Sequence, residues 1–321
     1  MQKPPITADF SRVTTYPLAE RSNKVRVDEF ARPVSGSSSL GDFLDGLPDV
    51  LGVKVLRELA AAIVQARAED HPVVVAAGGH VVKVGLAPVL LAMMKEGTIS
   101  ALALTGAGAI HDWEIAAIGA TSEDVGRGLH EGRYGMADET GRALNDAAKE
   151  AAAKGLGFGE VLGQRIVEAA LPHREASLLA RAFELGIPVT VHVAIGSDSV
   201  HVHPSADGAA IGAATFTDFK KLVTIVSSLS GGVWINVGSA VQLPEVFLEA
   251  VSVAENQGFT LSGFATANLD MLRHYRTDES VLRRPTFGRG KSFSLTGHHE
   301  INVPLLAAAV SLERARRESG R

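Results

Sequence analysis

The chain has 321 residues and a formal net charge of −5, with 46% hydrophobic and 21% charged residues. That is the balance of a globular protein with a substantial core, which excludes a disordered chain and, being mildly acidic, a bulk nucleic-acid binder. The chain has no cysteine, which removes disulfides, thiolate metal sites and a cysteine nucleophile together and suits a reducing compartment.

In chain order, the first ~45 residues read as an arm. They carry Pro4, Pro5, Pro17 and Pro33 and the flexible run Ser35 to Gly41. The body, 46–321, reads as a single α/β domain. From Leu51, Val55, Leu59, Ile63 and Ala66 recur at helical spacing until Pro72. Val73 to Ala77 is a short apolar run, the mark of a strand buried on both faces. A helix follows over about 85–96, then a strand over 99–104. Helical segments are expected over 137–154, 159–170 and 176–185. Further strands are expected at 187–195, 233–237, 260–265 and 292–295, with helices near 217–229 and 244–256 and a last one from about Asn302. Such alternation predicts a doubly wound, mainly parallel six-stranded Rossmann-like sheet. There is no signal-peptide pattern at Met1 to Ile6, and the apolar stretch Leu86 to Met94 is too short to span a bilayer. A cytoplasmic protein without membrane or nucleic-acid partners is therefore expected.

Small, polar loops follow the strands at 78–79, 105–109, 196–198, 238–240 and 266–268. In an open α/β sheet these collect at the carboxyl edge, where ligands bind. Gly79, Thr105, Gly106, Ala107, Gly108, Gly238 and Ser239 are thus candidate cofactor contacts. Thr105 to Asp112 approaches a dinucleotide fingerprint, but His111 stands at the third glycine position and no acidic residue ends the next strand. His111 is a candidate acid or base. Asp112 either joins the cofactor site or caps the following helix. Lys83 and Lys291 each lie beside a Gly-rich loop and are candidate imine-forming lysines, or ordinary surface lysines. His201 and His203, on a strand, would share a face, and with His192 they would offer a metal-dependent hydrolase its ligands; the preferred reading assigns no metal. His298-His299-Glu300 precedes the last helix, where Glu300 suits a cap.

The serial order of motifs resembles deoxyhypusine synthase over roughly residues 70–310. The resemblance is carried by Thr105 to Asp112, Ser177 to Asp198, Gly231 to Ala240, Ala265 to Asn268 and Ser294 to Pro304. It implies an NAD-dependent homotetramer acting on an amine, with Thr105, Gly106, Gly108, Asp198, Thr266, Ala267 and Asp270 toward NAD. The family's catalytic lysine stretch corresponds to Arg283-Arg284-Pro285, and its Lys-His-His to Gln242-Leu243-Pro244. A guanidinium cannot form the imine, so the expectation is an NAD-dependent enzyme on a small amine or related metabolite that does not make hypusine. The alternative is a non-catalytic nucleotide-binding oligomeric scaffold.

Overall fold

The structure, a computed structural model, describes residues 7–320. The chain divides into two compact units, Met1–Val50 and Leu51–Arg321. The first holds three short 3-10 turns and helix α1, Leu40–Gly46. Ser39 starts α1: its Oγ accepts from the Asp42 N–H at 3.1 Å, and Asp42 Oδ2 accepts from the Ser39 N–H at 2.9 Å. That reciprocal pair satisfies the helix's first donors.

The second unit runs α2 (Leu51–Ala68), β1 (Val73–Ala77), α3 (Gly79–Lys83), α4 (Ala87–Lys95), β2 (Ala101–Thr105) and α5 (Gly106–Ile118). It continues with α6 (Val125–Glu131), α7 (Asp138–Lys154), α8 (Phe158–Glu168), α9 (Leu178–Leu185), β3 (Val189–His192) and α10 (Gly208–Ser227). Then come β4 (Val233–Val237), α11 (Gln242–Asn256), β5 (Ala265–Asp270), the short α12 (Tyr275–Thr277) with a π-turn to Arg283, β6 (Lys291–Thr296) and α13 (His299–Glu318). The six strands form one all-parallel sheet in the order β3-β2-β1-β4-β5-β6. This is the doubly wound, Rossmann-like arrangement expected from the alternation of strands and helices.

Every residue of β1, β2 and β4 is buried. Alternate side chains go to opposite faces. Val74, Ala76, Ala101, Ala103 and Trp234 pack under α10 and α11, where Trp234 stacks on Phe247 at 4.2 Å between ring centroids. α13 packs against both α2 and α4. The apolar stretch of α13, Val303, Leu306, Ala309 and Val310, is thereby buried within the chain.

Several boundaries differ from the sequence reading. β3 stops at His192, and His201 and His203 sit in and just after a 3-10 turn, Ser199–Val202, not on a strand. α10 begins nine residues before the expected start, because Asp207 accepts hydrogen bonds from the N–H groups of Ala209 and Ala210. β5 is shifted to 265–270. The stretch before it is held in a turn, with the Gly231 N–H on the Ser262 carbonyl, and pairing resumes when Ala265 N–H reaches Gly232 O. Thr266 and Ala267 are therefore interior strand residues. No helix among the described residues is long and apolar enough to cross a membrane.

Candidate functional site

The strand order reverses between β1 and β4, the place where open α/β sheets leave a crevice at their carboxyl edge. Here two glycine turns pass in backbone contact. A Cβ on Gly78 would lie 2.1 Å from the Gly238 carbonyl oxygen. Gly238 itself has φ +62°, a left-handed conformation costly for other residues, and a Cβ there would meet the His299 ring at 3.2 Å. Just beyond, α11 begins at Gln242 without a side-chain cap on its start, while Ser239 Oγ accepts from the Leu243 N–H at 3.1 Å. The floor below is polar. Asn236 donates to Asn268 Oδ1 at 2.7 Å and to Ser239 O at 2.9 Å.

The Thr105 to Asp112 segment contains no open loop: α5 starts directly after β2. Thr105 Oγ1 accepts from the Gly108 N–H at 3.1 Å. The Asp198 carboxylate sits over the first turn, bonded to the backbone of Ala107 and, at 2.7 Å, accepting from Ala194 N–H; a Cβ on Gly106 would be 2.0 Å from Asp198 Oδ2. The positive end of α5 is thus neutralised by the chain's own carboxylate. Burial still pushes the Asp198 pKa up. A Cβ on Gly108 would point back toward Leu104, Thr105 and the Ala77 carbonyl, not toward a ligand.

Beside α5 lies a cavity of 140 Å³ lined by Lys83, His111, Glu114, Tyr134, Asp198 and Ser199, among others. It is smaller than the ~300–1,000 Å³ of typical drug-sized pockets, a space for a head group rather than a dinucleotide. Thr121 Oγ donates to Glu114, so His111 Nδ1, 2.7 Å from the same oxygen, is its donor, and Nε2 is left as the acceptor. Burial raises the Glu114 pKa, but hydrogen bonds from His111, Thr121 and Thr140 outweigh it and hold the carboxyl below its usual value.

His111, Lys83, Ala107 and Asp198 are brought together at this cavity, with Gly79 packed against Ala107 and His111. Gly238, Ser239 and Asp270 gather at the β1/β4 side. Other candidates fall elsewhere. Asp112 is wholly buried and accepts from Ser177 Oγ (2.5 Å), Leu178 N–H (2.6 Å) and Leu179 N–H (3.1 Å), so it caps α9, and burial pushes its pKa up to about 6. Thr266 and Ala267 lie inside β5. Lys291 opens β6 at the amino edge, roughly 16 Å from the carboxyl edge along a six-residue strand; it is not at the His111 site. His192 is buried, which lowers its pKa to about 4, and its ring meets Thr190 at 3.0 Å. His203 pairs with Ser205 and Asp138. Among the described residues no three His, Cys, Asp or Glu side chains come together as a metal site.

Sequence reasoning missed His80, Glu114 and Thr121, and gave His299 itself no role in the His298–Glu300 run. His80 directly follows the glycines after β1, which is a signal; His299 becomes a site residue only once the order β1-β4-β5-β6 is set.

No family profile and no curated protein matches the sequence. Solved structures share the fold. Unliganded AgrE superposes with a TM-score of 0.55 over 81% of this chain and 33% of that chain, at 14% identity. The ternary complex of AgrE with ornithine and NAD+ gives 0.52 over 84% of this chain and 34% of that one, at 16% identity. A putative LOR/SDH protein from Methanococcus maripaludis S2 gives 0.49, at 17% identity, over 84% of this chain and 71% of that one. The chain spans about a third of the length of the AgrE chains. The likeness to the AgrE structures overturns the resemblance to deoxyhypusine synthase. The motifs that suggested it are strand ends and helix starts that a doubly wound sheet repeats, and two of them resolve as a capped helix start and a strand interior.

Proposed function

We propose that the 51–321 unit is the NAD-binding part of an enzyme acting on a small amine-bearing substrate. The observation that carries this is the approach of the Gly78 and Gly238 turns at the point where strand order reverses. Backbone of Gly78–His80 and of Gly238–Ala240 would line the dinucleotide. The start of α11, a fifteen-residue helix whose Leu243 N–H is already taken by Ser239 Oγ, brings its positive end to the same crevice. When bound, NAD supplies a hydride acceptor.

The head-group cavity would hold the substrate's ammonium. Glu114, kept ionised, and Asp198 favour a cation, Lys83 suits an accompanying anionic group, and the His111 acceptor nitrogen is available to take a proton from it. The fold likeness to a protein captured with ornithine and NAD+ supports the same reading.

Calorimetry tests it. NAD+ is expected to bind, and Ala240→Glu, which sets a negative charge at the start of α11, is expected to weaken it about tenfold or more. Wild-type protein that binds neither NAD+ nor NADP+ rejects the reading. A panel of diamines and α-amino acids, followed by cofactor absorbance, is expected to give turnover that Glu114→Gln reduces.

A further inference from the structure

His299 stands apart from the other buried polar side chains in that both of its side-chain polar atoms lack a partner. It is 1% exposed, yet neither ring nitrogen makes a hydrogen bond. Buried polar atoms without partners are rare and costly, and those that persist ask for an explanation. The surroundings supply one. His299 Nε2 lies 3.7 Å from Asp270 Oδ1, at the buried end of β5. On its other side its ring meets that of His80 edge to face, with centroids 5.3 Å apart. His80 is partly exposed and follows the Gly78-Gly79 turn. Three side chains, from the start of α3, the end of β5 and the start of α13, thus line up from the sheet interior toward the β1/β4 crevice. Gly238, which must lack a side chain to clear His299, gives the line its space.

We infer that Asp270, His299 and His80 form an electrostatic relay, coupled through charge and ring contact, in which His80 is the acid–base group meeting the ligand, and Asp270 and His299 are its positioning residues. The proton taken by a His80 ring nitrogen is matched by electrostatic support from the Asp270 carboxylate through His299, as in other histidine–carboxylate pairs. What His80 faces in the crevice rests on the NAD reading above; the coupling within the line does not. Burial outweighs the opposing pull of the Asp270 carboxylate and, with His80, holds the His299 pKa below its ordinary value.

The test is an NMR titration of histidine Cε1–Hε1 signals in the full chain, with His203 as a remote control. Asp270→Asn is expected to lower the His80 midpoint by about half a unit, and to leave His203 unmoved. The same substitution made in His299→Asn is expected to shift His80 much less. A His80 midpoint unchanged by Asp270→Asn overturns the relay. If Asp270→Asn does not fold, His80→Asn is read at His299, and an unchanged His299 signal overturns it equally. NAD+ added alone is expected to move the His80 signal. NAD+ that binds by calorimetry without moving it overturns the assignment of His80 as the outlet. NAD+ that does not bind removes the cofactor reading, and the coupling in the free protein then decides the relay by itself.

Discussion

Asp198 shows how much a single side chain changes the meaning of a motif. Thr105-Gly106-Ala107-Gly108 has the small residues of an anion cradle, but the carboxylate that fills it arrives from beyond β3. Removing it is expected to expose the helix start at a measurable cost. Asp198→Ala should lose about 1–2 kcal/mol in urea denaturation, as lost helix caps do. The glycines separate in the same way. Gly78→Ala drives a Cβ into backbone that cannot yield and is expected to cost about 2–3 kcal/mol. Gly108→Ala makes only ordinary contacts near 3.5 Å and is expected to be neutral or to gain about 0.5–1 kcal/mol; similar losses at both positions would contradict this assignment. The sequence showed both as glycines in strand-end turns. It did not show which was glycine for a neighbour and which was not, since the backbone that Gly78 must clear lies 160 residues on, at Gly238.

At the scale of elements, two buried aspartates act as staples between helices and the sheet. Asp112 of α5 holds the start of α9, and Asp218 of α10 accepts from Gly159 N–H at 2.9 Å and Val191 N–H at 2.8 Å, tying α8 to β3. Burial pushes the Asp218 pKa up to about 7 and that of Asp112 up to about 6. Both groups bind a proton more tightly folded than unfolded. Their contribution to stability is therefore greatest near pH 4 and is lost as pH rises to about 7, by an amount on the order of a few kcal/mol. Asp218→Asn keeps a carbonyl acceptor and is expected to flatten that slope; a wild-type profile unchanged by the substitution, measured by urea denaturation from pH 4 to 8, would contradict it. The helices and strands themselves were largely legible from period and composition. Their ends were not where long-range bonds set them: β5 starts where its partner β4 allows, and α10 starts where Asp207 caps it.

For the whole molecule, strand alternation was enough to foresee a parallel sheet, but not its order, and the site depends on the order. Lys291 looked like a companion of His111 because both flank glycines; the parallel direction of β6 puts it on the opposite edge. His80, Asp270 and His299 looked unrelated because nothing short of the full strand order makes them neighbours. The 51–321 unit carries the entire sheet. A chain beginning at Leu51 is expected to unfold in one cooperative transition and to bind NAD+ as the full chain does; loss of either would show that the first fifty residues are part of the site.

The central pairing of the sheet also has a kinetic consequence. β1 meets β2 after a short excursion, but meets β4 only after 155 intervening residues, 78–232, have been placed. Contacts of such long separation are closed late and slowly. The crevice lies on that seam, so ligand recognition becomes a reporter of the last step of assembly. In refolding from urea, helical circular dichroism is expected to recover before NAD+ capture does, and recovery of both at one rate would show that the seam closes with everything else.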